Sequence, residues 1–188
     1  MSDVLIPLAD GCEELEAVTV IDLLRRAELE VVVASLDGAA VTASRGVRLG
    51  VEMSLDEALQ RDYRMVVLPG GADGARRLEE DERIFNLLRQ RGANDAWTAA
   101  ICAAPKVLAR AGLLEGREAT SFPGFLDEYR DELKAYREDP VVVDGRILTS
   151  RGPGTAMDFA LTLIETLTNR EQRDTVEARL QRPEMAKA

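Results

Sequence analysis

The spacing of apolar positions changes repeatedly along the chain. Residues 4–8, Val-Leu-Ile-Pro-Leu, form an unbroken apolar run closed by Gly11, the pattern of a strand buried on both faces. Over residues 13–26 the spacing becomes helical, with Ala17, Val20, Ile21, Leu24 and Ala27 on one side. Residues 28–35 predict a second strand, followed by a turn at Asp37-Gly38, and residues 41–53 predict a hairpin around Ser44-Arg45-Gly46. Residues 65–68 predict a third buried strand that stops at Pro69-Gly70-Gly71. A helix is expected over 81–91 with Ile84, Leu87 and Leu88 inward, then a strand over 99–101 and a helix from Pro105. Residues 141–143 and 146–149 flank Asp144-Gly145, a two-residue hairpin signal. Residues 155–167 predict an amphipathic helix with Thr155 as its cap and Asp158 in its first turn. Strands alternating with helices predict an α/β fold, an open and mostly parallel sheet covered on both faces. No repeat or linker divides the chain, so one domain is expected over 1–188, with its core over about 3–177 and a frayed polar tail over 182–188.

Composition narrows the chemistry. The chain has 188 residues, 46% of them hydrophobic and only 4% aromatic, so a sizeable core must be filled mostly by aliphatic side chains. A formal net charge of −10 disfavours nucleic acid as a partner, because phosphates are repelled. Met1-Ser2-Asp3 has no basic n-region, so no signal peptide is expected, and no apolar run reaches the roughly 18–20 residues that span a bilayer. With only Cys12 and Cys102 the chain cannot be a disulfide scaffold, and a cytoplasmic protein with reduced thiols is expected. Histidine is absent altogether. That removes Cys-His and Ser-His nucleophilic pairs and His-ligated zinc, and neither metal nor cofactor is expected.

Cys102 sits in Ala-Ala-Ile-Cys-Ala-Ala-Pro, where a strand becomes a helix. Small neighbours permit a sharp turn that exposes the thiol, and the helix that follows offers free N–H groups to a thiolate. The same residues also suit a small cysteine packed against a helix. Gly11-Cys12-Glu13-Glu14-Leu15-Glu16 follows the first strand and lies at the same sheet edge. Glu13 and Glu14 are ordinary partners for a helix N-terminus, whereas Glu16 lies near the inward face, where a carboxylate needs a reason. Gly70-Gly71 offers N–H groups either to an anion or only to a turn.

Together these stretches resemble the DJ-1/PfpI (ThiJ) superfamily, in its DJ-1/YajL branch. The resemblance runs from about Val4 to Glu177 on five motifs in register: GCEELEAVTVIDLLRRA, SRGV, VVLPGG, AAICAAP and LTSRGPGTAMDFAL. It implies a flavodoxin-like three-layer sandwich, a homodimer, Cys102 as an elbow cysteine and Glu16 as its carboxyl partner. It further implies backbone donors at Gly70, Gly71 and Ala103, and a pocket or partner-facing rim of Glu13, Arg45, Phe122, Arg151 and Pro153. Many relatives carry a histidine where this chain has Phe122. Protease-like relatives carry one where it has Ala103, so a Cys-His protease is excluded. Two acids in one small pocket cannot both ionise freely, so the carboxyl pKa is expected to rise and the thiol pKa to fall, as properties of the pair.

Three activities fit the resemblance. One is attack of Cys102 on a reactive aldehyde, such as methylglyoxal or a glycated protein adduct, in the manner of a glutathione-independent glyoxalase or protein deglycase. Another is redox sensing, with Cys102 oxidised to the sulfinate under oxidative stress. The third is chaperoning. Cys12 is read either as a small turn residue or as a second thiol able to pair with Cys102, provided the Cα atoms lie within ~7 Å.

Overall fold

The structure, a computed structural model, describes residues 2–182. The chain runs β1 (Ser2–Leu8), α1 (Glu14–Arg26), β2 (Val31–Ser35), β3 (Val41–Thr42), β4 (Arg48–Leu49), β5 (Met53–Ser54), α2 (Leu55–Ala58), β6 (Tyr63–Leu68), α3 (Ala72–Glu80) and α4 (Glu82–Ala93). It continues through β7 (Trp97–Ile101), α5 (Pro105–Arg110), β8 (Glu118–Ala119), β9 (Ala135–Tyr136), β10 (Val141–Asp144), β11 (Ile147–Ser150), α6 (Ala156–Leu167) and α7 (Arg170–Ala178). Seven strands form one sheet in the order β10-β11-β7-β6-β1-β2-β5, parallel throughout except for the edge hairpin β10–β11. Helix α6 packs on α1 and α7, and α3 packs on α4 and α5. Consecutive residues of β1, β6 and β7 are buried, as side chains pointing alternately to two covered faces must be. The fold is the mixed α/β sandwich expected, and β11, β7, β6 and β1 end side by side at one edge.

Local chemistry moved several boundaries. The strand expected from residue 28 starts at Val31 because α1 consumes the residues before it. Glu28 takes a left-handed conformation (φ 62°), and the N–H groups of Glu28 and Leu29 bond back to the Arg25 and Leu24 carbonyls. The hairpin expected over 41–53 covers only β3 and β4, and Met53 instead pairs with Ala34 at the edge of the main sheet. In the late hairpin Asp144 is still paired, with Ile147, so the two-residue loop is Gly145-Arg146. Thr155 does not cap α6 with its side chain, because its hydroxyl is engaged with Gly152 and Ser150. Arg182, expected to begin a frayed tail, is held by Asp158 at 2.7 Å and Glu177 at 3.1 Å. The rest of that expected tail, 183–188, lies outside the described residues. No helix among the described residues is long and apolar enough to cross a membrane.

Candidate active site

Three parallel strands deliver the central groups to one edge. Chain leaving β7 turns at once through Cys102, whose φ of 64° is a strained value for a residue with a side chain. Its N–H donates to the Ser150 carbonyl at the end of β11, and its carbonyl accepts from Phe122 N–H. Pro105 opens α5 at the first helical position, where a missing N–H costs nothing.

Chain leaving β1 reaches α1 through Cys12 and Glu13. The Glu13 carboxylate caps α1 by accepting the Glu16 N–H at 2.7 Å, and the Glu13 N–H donates to the Gly70 carbonyl. That cap fixes the first turn of α1, which carries the fully buried Glu16 inward.

Chain leaving β6 supplies Gly70 and Gly71. The Gly70 N–H donates to Glu16 Oε2 at 2.8 Å. A Cβ at Gly70 would lie 2.6 Å from Cys102 Cβ and 2.7 Å from Glu16 Oε2, so only glycine lets the three groups meet. Gly71 takes φ 87°, and a Cβ there would clash with the Gly11 carbonyl. The N–H groups of Gly71 and Ala103 point at the Cys102 sulfur. Of the three expected backbone donors, then, two face the sulfur, while the Gly70 N–H is occupied by Glu16.

The acid–thiol pair departs from expectation in one half. Burial lifts the Glu16 carboxyl to about 7, against partial compensation from Cys102 and Gly70. The Cys102 thiol was expected to fall and is instead pushed up to about 12, by burial first and then by the Glu16 charge. The pair therefore releases one proton near neutrality and holds the other. Glu16 Oε1 is buried with no partner of good hydrogen-bond geometry, although the thiol lies close enough to couple with the carboxyl.

Cys102 is 8% exposed and lines a cavity of about 400 Å³. Glu13, Arg45, Gly71, Ala103, Phe122 and Pro153 line the same cavity. Arg151 does not; its guanidinium donates to the Glu138 carbonyl. Ser44, Asp73 and Phe125 also line the cavity and were not foreseen. Phe125 meets Phe122 edge-to-face at 6.2 Å. Ser44 and Arg45 are brought there by Glu14, whose carboxylate accepts from Ser44 Oγ and Arg45 N–H, both at 2.8 Å. Cys12 is free, as is Cys102, and is 1% exposed. Burial and then the charges of Glu14, Glu13 and Asp10 push its thiol up to about 12. No group of three or more His, Cys, Asp or Glu among the described residues is placed to hold a metal ion.

Known proteins share this fold. The DJ-1/PfpI family matches residues 2–166. Protein DJ-1 homolog B of Arabidopsis thaliana is 43% identical over 171 residues, which are 90% of this chain but only 39% of that relative's length. The solved structure of Drosophila melanogaster DJ-1beta superposes with a TM-score of 0.91 at 40% identity, covering 96% of this chain and 98% of that one. A Caenorhabditis elegans protein named glutathione-independent glyoxalase DJR-1.2 is 31% identical over 173 residues, covering 92% of this chain and 91% of its own length. A match that spans the sheet, the cysteine turn and the loops around it places the chain in the DJ-1/PfpI family.

Proposed function

We propose that this protein acts on small reactive aldehydes, with Cys102 as nucleophile and Glu16 as the acid and base. The observation that carries the reading is the pair itself. A strained elbow thiol faces two backbone N–H groups and a buried carboxyl near pKa 7, at the wall of an open cavity. Near neutrality the singly protonated pair interconverts between thiol with carboxylate and thiolate with carboxylic acid. The Gly71 and Ala103 N–H groups favour charge on sulfur.

In that form the thiolate adds to the aldehyde carbon of methylglyoxal, and Glu16 protonates the new oxygen to give a hemithioacetal. The Glu16 carboxylate then takes the proton from that carbon and returns it to the neighbouring one, leaving a lactoyl thioester. Water cleaves the thioester, regenerating Cys102 and releasing lactate. Methylglyoxal plus water balances lactic acid, so neither glutathione nor an oxidant is consumed. The relative named as a glutathione-independent glyoxalase supports this chemistry. A protein-bound hemithioacetal or aminocarbinol adduct is the larger substrate of the same type. The open cavity, with Arg45 and Phe122 along it, leaves room for one. Two free thiols suit a reducing compartment such as the cytoplasm.

A second reading rests on the same two N–H groups and on the unpartnered Glu16 Oε1. They would hold the oxygens of a Cys102 sulfinate, making the protein a redox sensor without turnover. The experiment that separates the readings is lactate formation from methylglyoxal without glutathione, followed against pH. Turnover predicts a rate that rises as pH passes about 7, where the pair loses its first proton. No lactate at any pH, with peroxide still driving Cys102 to the sulfinate, would favour the sensor.

A further inference from the structure

A larger cavity, of about 600 Å³, opens at the opposite edge of the sheet, where β7 and β11 begin. Its wall gathers four arginines, Arg89, Arg91, Arg117 and Arg146, against two acids, Asp95 and Glu115. The chain as a whole has 34 acids and 24 bases, so this is a local reversal of charge.

No carboxylate among the described residues lies close enough to neutralise these arginines with a charge-assisted hydrogen bond. Arg91 is buried, and its guanidinium donates only to neutral acceptors, the carbonyls of Tyr63, Arg64 and Trp97 and the Thr98 hydroxyl. Arg89 makes no ion pair among the described residues and lies beside Gly112. Arg117 Nη1 donates to the Asp144 carbonyl at 3.2 Å but lies 3.6 Å from the Asp144 carboxylate, and Arg146 lies 3.7 Å from the Asp95 carboxylate. Both carboxylate distances exceed the roughly 2.7–2.9 Å of a charge-assisted hydrogen bond, so neither guanidinium is locked to its acid. Helix α4 ends here, and its negative end suits one arginine; four exceed that need.

We infer that this cavity binds a small oxyanion carrying two or more negative charges. Guanidinium forks match carboxylate and phosphate oxygens two at a time, and the cavity falls within the roughly 300–1,000 Å³ of small-molecule sites. An organic phosphate and a polycarboxylate share this chemistry. The site is separate from Cys102 and does not depend on its reaction.

Trp97 is the one tryptophan of the chain, and the Arg146 guanidinium lies 4.6 Å from its ring centroid. An anion that draws Arg146 away should change the fluorescence of that single residue. The test is titration with pyrophosphate and with citrate at fixed ionic strength, read by Trp97 fluorescence and by calorimetry. A saturable response is expected, and the tighter of the two probes identifies phosphoryl or carboxylate as the natural group. Arg89→Gln and Arg146→Gln should each weaken binding at least ~tenfold, with calorimetry deciding for Arg146→Gln. Cys102→Ser should leave it unchanged. No saturable heat with either probe, or equal affinity in the double arginine variant, would overturn the inference.

Discussion

Glu16 makes the stability of the fold depend on pH in a definite direction. Its carboxyl is fully buried, and burial lifts its pKa from the usual 4.5 to about 7. A group raised in the folded state contributes stability that is fully present below its unfolded pKa and is lost as pH rises through the folded value. The loss between those limits amounts to about 2–3 kcal/mol. Glu16→Gln stays neutral and still accepts from Gly70 N–H. Urea unfolding at about pH 5 and about pH 8 should therefore show wild type losing stability relative to Glu16→Gln as pH rises; parallel curves would contradict the burial account. The two thiols differ in access rather than in intrinsic acidity, since both are pushed to about 12. Cys102 faces the cavity, while Cys12 is sealed and has the charges of Glu14, Glu13 and Asp10 near it. Iodoacetamide at neutral pH should modify Cys102 first and Cys12 only on unfolding. Similar rates in the folded protein would remove the distinction.

At the scale of elements, the site depends on how closely the β6–α3 turn approaches the β7–α5 turn. Gly70→Ala drives a methyl group into Cys102 and Glu16, a misfit that typically costs about 1–3 kcal/mol. It should lower the melting temperature and abolish turnover. Gly154→Ala, where an added Cβ meets nothing within 4 Å, should do neither. An unaffected Gly70→Ala would show that the close approach is not needed. Elements with a strong period were legible in the sequence: α1 places its expected inward residues in the core, apart from half-buried Ile21, and α6 is the expected amphipathic helix, burying Ala156, Phe159, Ala160, Leu163, Ile164 and Leu167. Helix α3 was missed because only Gly74, Ala75 and Leu78 are buried in a stretch rich in arginine and acid. The shared sheet edge placed Cys102 and Glu16 as candidates, and the family resemblance singled them out as a pair. Ser44 and Phe125 could not, because contacts distant in sequence bring them there: a Glu14 hydrogen bond for one, packing on Phe122 for the other. The acid–thiol coupling was legible in kind, but the burial that raises both groups was not.

At the scale of the whole molecule, an acidic chain exposes large apolar side chains on α1 and in the loop bonded to it. Leu15 and Val18 on α1 are about half exposed, as is Val47, which bonds to Glu14 through its backbone. Met157 at the start of α6, the helix packed against α1, is exposed as well. A second copy of the chain is the expected cover, in keeping with the homodimer that the family resemblance implies. Glu16 is sealed within its own subunit, so an arginine from a partner could reach the Cys102 side of the cavity but not Glu16. Sedimentation at micromolar concentration should give a dimer, and Leu15→Glu with Val18→Glu should give a folded monomer. A monomeric wild type would leave these side chains without their proposed cover.

The central claim is that Cys102 and Glu16 form one reacting unit, and direct lactate measurement from methylglyoxal tests it most plainly. Wild type should form lactate without glutathione. Cys102→Ser should lose turnover because the nucleophile is gone. Glu16→Gln should fold and still carry the thiol, yet lose turnover at least ~100-fold because it cannot pass a proton between the two carbons. A Glu16→Gln variant as active as wild type, or a Cys102→Ser variant that still makes lactate, would contradict the account.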